Sequence, residues 1–230
     1  MNQSPLRQAR LTAGLTQQQA AAKLGVSQAY WALLEAGKRR LKKELAQKVV
    51  TLLKLRPTAL PLEESSNAMN GANSESLARH LAALGYPGFS YLRSTRARNP
   101  AGVLLSALLC NDLEARVVES LPWLVLEYSD LDWDWLLAKA KQSDLQNRLG
   151  FVVSLARRAG AARRKDPARL AKLSEVESCL EQARLVREGT LCRESMSEAE
   201  RRWLHRMRPP EAQHWNLLTD LTPELLRHAA

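Results

Sequence analysis

Residues 28–43 of this 230-residue chain read Q-A-Y-W-A-L-L-E-A-G-K-R-R-L-K-K. One amide stands at the start of a short apolar helix, and Lys38, Arg39, Arg40, Lys42 and Lys43 follow its end. The Gln28 amide can donate to and accept from an adenine edge at once, whereas Ala29, Ala32 and Leu33 offer only apolar contact, for instance to a thymine methyl. The cations are of the kind that displace counterions from phosphates. Residues 1–60 hold 11 Lys/Arg against 2 Asp/Glu, and residues 61–230 hold 23 against 22, so nearly all of the net +10 lies in the first quarter of the chain. That is the electrostatic footprint of a nucleic-acid-binding module. With one good hydrogen-bonding side chain among Gln28, Ala29, Ala32 and Leu33, direct readout of bases is thin. Either the run from Lys38 to Lys43 helps to read sequence, or DNA shape supplies much of the specificity.

Groups of this kind need rigid elements behind them, and the flanking sequence supplies two short capped helices joined by a glycine turn. Thr16 can cap the first, with Gln19 three residues on completing a capping box. Gly25 sits where the turn needs a left-handed residue, Ser27 can cap the second helix, and Gly37 is its natural stop. Ala20, Ala21 and Leu24 make an inward face, and Val26, Trp31 and Leu34 close a small core. This is the spacing of a helix-turn-helix, whose second helix enters the major groove. Helices are expected near 4–13, 17–24, 28–35 and 41–55, the last ended by Pro57 and Pro61.

The stretch L-T-Q-Q-Q-A-A-A-K-L-G-V-S-Q-A-Y-W-A-L-L-E-A-G-K-R, within residues 4–43, resembles the lambda-repressor-like helix-turn-helix family, the Cro/C1 or xenobiotic-response-element type. The resemblance implies that Gln17 contacts a phosphate and braces the recognition helix. It implies that Gln28 faces base edges and that Ala29, Ala32 and Leu33 line the groove-facing side. Ser27 and Tyr30 become phosphate or sugar contacts, and Lys38, Arg39 and Arg40, with Lys42 and Lys43 in the same run, clamp the backbone. Arg10 and Glu35 stand where the family often has an internal ion pair. Two positions carry a second reading: Gln28 is either a reading residue or merely an exposed helical one, and Tyr30 either packs on the scaffold or touches DNA. Trp31 departs from the Ile or Val usual at this buried spot, so its ring must shift the helix or be accommodated by Ala20 and Ala21.

The remainder reads as helical. Residues 63–76, E-E-S-S-N-A-M-N-G-A-N-S-E-S, are polar and free of large apolar groups, the composition of a flexible linker. Beyond it, helices are expected near 75–84, 100–110, 112–129 (interrupted or kinked at Pro122), 131–140, 144–159, 167–187, 197–207, 210–219 and 223–228. Asn99-Pro100, Asp166-Pro167 and Thr222-Pro223 each set an N-cap before a first-turn proline, and Ser143 with Gln146 and Ser197 with Glu200 read as capping boxes. No alternating apolar run argues for a sheet. The tryptophans of this half, Trp123, Trp133, Trp135, Trp203 and Trp215, are core residues or interface anchors. Glu127, Asp130, Asp132 and Asp134 read as helix-start charges, with a divalent-cation site or a patch for a basic partner as the alternatives. The cluster R-R-A-G-A-A-R-R-K at 157–165 is a helix-end charge or a second phosphate contact.

These observations lead to an all-α chain: a four-to-five-helix DNA-binding domain at 1–60, a linker at 61–75, and a larger helical domain at 76–230 that dimerises or takes a partner or ligand. Cys110, Cys179 and Cys192 are widely spaced and odd in number, which indicates neither a disulfide framework nor a zinc site and suits a reducing cytoplasm. No apolar run reaches membrane-span length, and the start M-N-Q-S-P-L-R lacks the apolar segment of a signal peptide. His80, His205, His214 and His228 have no companion at a catalytic or ligand spacing, so no enzyme, cofactor or metal is expected. In stretches such as L-P-W-L-V-L-E-Y, L-Q-N-R-L-G-F-V-V-S-L-A-R and E-A-E-R-R-W-L the second half is similar to uncharacterised regulators of toxin–antitoxin or defence operons. That similarity implies an autorepressor and antitoxin that binds double-stranded DNA as a homodimer and holds a toxin through 76–230. The alternatives are a ligand- or peptide-sensing repressor and an enzyme with a DNA-binding appendix.

Overall fold

The computed structural model describes residues 5–39, 41–62, 72–93, 95–164, 166–226 and 228, and the fold is all-α apart from one pair of two-residue strands. The chain divides into two compact units, Met1–Leu62 and Glu63–Ala230. The expected linker at 61–75 falls largely on residues 63–71, outside the described residues; at its end Asn73 and Ser74 already open a helix.

Among the described residues the first unit has four helices, α1 (Pro5–Thr12), α2 (Gln17–Leu24), α3 (Gln28–Glu35) and α4 (Lys43–Leu53), then a 3-10 turn at Pro57–Ala59. Its punctuation is that of the sequence. The Thr16 hydroxyl accepts from Gln19 N at 3.1 Å while the Gln19 amide oxygen accepts from Thr16 N at 2.9 Å. Gly25 takes the left-handed turn at φ 71°, and the Ser27 hydroxyl accepts from Tyr30 N at 3.2 Å. Gly37, at φ 69°, stops α3. Helix α4 is shorter than the apolar periodicity suggests, because Lys42 serves as N-cap and Lys54 leaves the helix in a left-handed conformation. Trp31 is completely buried in one cluster with Ala20, Ala21, Leu24, Leu34, Val49 and Leu53, so the two alanines supply the room that its ring takes.

The second unit comprises α5 (Ser74–Ala83), α6 (Pro100–Leu109), α7 (Ala115–Glu127), α8 (Trp133–Gln142), α9 (Gln146–Ala162), α10 (Pro167–Glu181), α11 (Glu198–Met207) and α12 (Pro210–His214). Helix α9 is its axis, packed by α7, α8, α10, α12 and a 3-10 turn at Pro223–Leu225. It is buried nearly all round, which is why it shows no clean amphipathic stripe. Gly150 lies in the middle of α9 because Trp215 covers it: a Cβ there would come within 2.3 Å of the indole ring. Helix α7 runs on through Pro122 without interruption.

Several expectations are corrected. Ser143 and Gln146 form no capping box, since Ser143 ends α8 and Leu145 precedes α9 without a side-chain cap. The expected helix at 210–219 stops at His214, where Asn216 turns left-handed and Leu217–Leu218 instead pairs in parallel with Gly189–Thr190. The expected helix at 223–228 is the single 3-10 turn. Helix α10 ends at Glu181 rather than 187.

Candidate nucleic-acid interface

An eight-residue helix presents two faces, and α3 uses them differently. Inward it carries Trp31, Leu34 and the acidic Glu35, all buried. A buried carboxylate is stable only when its oxygens are filled, and Glu35 has four hydrogen bonds from three side chains. Arg10 Nε donates to Oε1 at 2.5 Å and Arg10 Nη2 to Oε2 at 3.2 Å. Trp31 Nε1 donates to Oε1 at 2.7 Å, and Gln17 Nε2 to Oε2 at 2.8 Å. Arg10 Nη1 also donates to the Leu15 carbonyl at 2.8 Å, so one guanidinium ties α1, the turn into α2 and the end of α3. Burial pushes the Glu35 carboxyl up, but the bonds from Arg10, Gln17 and Trp31, with the charge of Arg10, outweigh it and hold the group below its ordinary value.

The family-type Arg10–Glu35 pair is therefore present, enlarged by two donors that sequence reasoning did not assign. A signal for one existed: Trp31 and Glu35 are four apart on one helix, which places them on the same face. The partnership also explains how an indole fits this position, since its N–H meets the carboxylate instead of being stranded in the core.

Outward, Gln28 and Ala29 are exposed, Leu33 is 38 % exposed, and Ala32 is half-buried. Among the described residues no partner hydrogen-bonds the Gln28 side-chain amide. Tyr30 is half-buried against the core cluster and lines a hollow with Val26, Lys42, Leu45 and Lys48. Ser27 is exposed, and its hydroxyl oxygen is committed to the cap. Gln17 is half-buried and spends its amide N–H on Glu35. Lys38, Arg39 and Lys42 are exposed around the end of α3 and the start of α4, and Lys43 opens α4; Arg40 lies outside the described residues. Lysines at a helix N-terminus oppose the helix dipole, an arrangement that a bound phosphate turns favourable.

A small helical unit with one bare helix face, an internal ion pair behind it and cations beyond its end is a helix-turn-helix DNA-binding domain. Residues 5–61 match the family model described as a helix-turn-helix domain. Neither the curated proteins nor the solved structures gave a match to the chain.

The other sequence candidates are placed as follows. Asp132 caps α8, its Oδ1 accepting from Trp135 N at 3.0 Å. Of the cluster at 157–165, Arg157 bonds Glu177 at 2.5 Å, Arg158 pairs with Glu211, and Arg163 donates to the Leu226 carbonyl at 2.9 Å; Lys165 lies outside the described residues. His205 and His214 face Glu188 and Glu181. Burial pushes the Cys192 thiol up to about 12, which leaves it unreactive. Among the described residues no group of three or more His, Cys, Asp or Glu could hold a metal, and no helix is long and apolar enough to cross a membrane.

Arg148 of α9, half-buried, is a second polar centre that the sequence did not announce. It donates to the Thr190, Leu108 and Cys110 carbonyls at 2.8, 2.8 and 3.1 Å and to Glu194 Oε1 at 2.8 Å. Glu194 also accepts from the Thr190 hydroxyl at 2.7 Å. Four of its five N–H groups are bonded within the chain, so Arg148 serves mainly to hold structure.

Proposed function

We propose that the protein is a sequence-specific transcription regulator that occupies a pseudo-palindromic operator as a homodimer and represses its own gene. The observation that supports it most directly is the division of α3: its inner face is locked by the Glu35 bonds, and its outer face offers Gln28 with its amide unengaged. Gln28 meets an adenine edge, Ala29, Ala32 and Leu33 give apolar contact, and Gln17, Ser27, Tyr30, Lys38, Arg39, Arg40, Lys42 and Lys43 hold the phosphates. Two such modules related by a two-fold axis read half-sites about 10 base pairs apart, and the pairing supplies affinity that one small module lacks. No catalytic step, cofactor or metal belongs to this reading, and the cytoplasm is its place of action.

The resemblance of the second half to toxin–antitoxin and defence regulators adds a protein partner, a toxin held by residues 76–230. One experiment addresses both levels: binding of the purified chain to the DNA upstream of its own gene, at stated salt, with and without the neighbouring gene's product. A protected site with two-fold symmetry supports the regulator. A shift caused by the neighbour supports the antitoxin role, and indifference to it removes that role. Binding that never exceeds nonspecific affinity on any genomic fragment overturns the regulator reading.

A further inference from the structure

Helix α11, E-A-E-R-R-W-L-H-R-M, turns only Leu204 fully inward. Its outer side carries the chain's one exposed tryptophan, Trp203 at 49 %, with Met207 at 64 % one turn on. An open hollow of about 740 Å³ runs along the Glu198, Arg202 and Arg206 side of the helix, with Glu188 and Leu218 on its other wall. Two rows stand side by side at i, i+4, i+8 spacing: Glu198, Arg202, Arg206, and Ala199, Trp203, Met207. Arg206 makes no hydrogen bond or ion pair with the described residues, and Arg202 reaches only the Glu198 carbonyl, at 3.3 Å.

Reversed, the end positions of both rows complement each other, while Arg202 and Trp203 meet their own copies. We propose that this face of α11 is the surface through which two copies of the chain pair, with the two α11 helices antiparallel across a two-fold axis near Arg202 and Trp203. In that arrangement Glu198 of each copy faces Arg206 of the other, the small Ala199 receives the long Met207, and the two Trp203 rings meet at the axis. Flanking residues on the same side of antiparallel helices face one another, which is what brings acid to base here. The two Arg202 side chains lie near the axis, and each keeps the Glu198 carbonyl of its own helix to turn to. The helix dipoles also run opposed. The acid at one end and the base at the other select a second copy in this direction over a parallel one, in which like charges would abut. A contact built on one ten-residue helix is small, so the dimer is weak, on the order of micromolar, and forms fully when two half-sites hold the copies together.

This pairing rests on the dimeric-regulator reading, and the test separates the two. Sedimentation of the full chain is measured over a concentration series for the wild type, E198R, R206E, W203A and an equimolar mixture of E198R with R206E. Circular dichroism confirms that each variant is folded. E198R alone and R206E alone are expected to weaken the dimer roughly tenfold or more, since each places two like-charge contacts in a symmetric dimer. W203A is expected to weaken it by about 30-fold. The mixture is expected to pair again, because both contacts then join opposite charges. A wild-type dimer that survives every variant overturns the α11 surface and leaves the dimeric regulator standing. A chain that stays monomeric at all concentrations and on operator DNA overturns both.

Discussion

Behind the bare face of α3 a carboxylate, Glu35, collects four hydrogen bonds from three side chains, whereas in the second unit a guanidinium, Arg148, gives four, three of them to backbone carbonyls. Glu35 is buried and its acceptor sites are filled, as a low-dielectric interior demands, whereas Arg148 is half-buried and uses four of its five N–H groups. They differ in what they hold. Side chains from α1, α2 and α3 converge on Glu35, so it fixes the mutual angle of helices. Arg148 takes the carbonyls freed at the end of α6 and along the strand at Gly189–Thr190, so it closes chain ends against α9. The first device serves a face that must be presented, and the second serves a core that must be sealed.

Removing each centre tests that division. Glu35→Ala leaves Arg10 buried without its counter-charge and is expected to cost the first unit about 3–5 kcal/mol, abolishing specific DNA binding. Segment-resolved hydrogen exchange should show lost protection in α1 to α4 and none in α9. Arg148→Ala is expected to cost the second unit about 3 kcal/mol by orphaning its carbonyl partners, with the exchange pattern reversed. Protection lost across both units in either variant would mean that the two centres are not independent.

Acid should divide the units more gently, since protonation leaves the side chains in place. The folded Glu35 carboxyl lies below its ordinary value. Its contribution is therefore complete above the unfolded carboxyl pKa of about 4.3 and is lost as pH falls through the lower folded value. Burial pushes the Glu194 carboxyl up, but the Thr190 hydrogen bond, the charge of Arg148 and the bond and charge of Arg201 outweigh it and lower the group; its side chain is 40 % exposed, so water screens most of the effect. Acid titration followed by tertiary circular dichroism and exchange should unfold the first unit ahead of the second. The smallest change is Gln28→Ala, expected to leave melting unaltered and to relax preference at one base pair by about 1–3 kcal/mol. Equal weakening on all DNA would place Gln28 on the backbone instead.

The comparison also shows what a sequence discloses. Thr16, Gln19, Gly25, Ser27 and Gly37 were legible because caps and left-handed turns act within four residues of themselves. Arg10 and Glu35 were legible through a family pattern, 25 residues apart. The bonds of Gln17 and Trp31 to the same carboxylate were not, since side-chain direction is set only once the helices have packed. Arg148 left no trace for a related reason: its carbonyl partners lie 38 to 42 residues away, and every residue type owns a carbonyl. Ser143 misled because a cap residue near a helix start can equally end the helix before it. The pairing of Gly189–Thr190 with Leu217–Leu218 is two residues long, too short for any period to register. On the outer side of α3 the exposure of Gln28 and Leu33 followed from the inward face, whereas any choice of bases is a property of a complex with DNA.

The split of α3 into a fastened side and a bare side has an evolutionary consequence. Gln28, Ala29 and Leu33 take no part in the Glu35 bonds or the Trp31 cluster, so their replacement touches neither. If these positions read the operator as proposed, new preferences can therefore accumulate by substitution there while the domain keeps its stability. After duplication, two descendants could part company over their target genes through a few codons of a single helix.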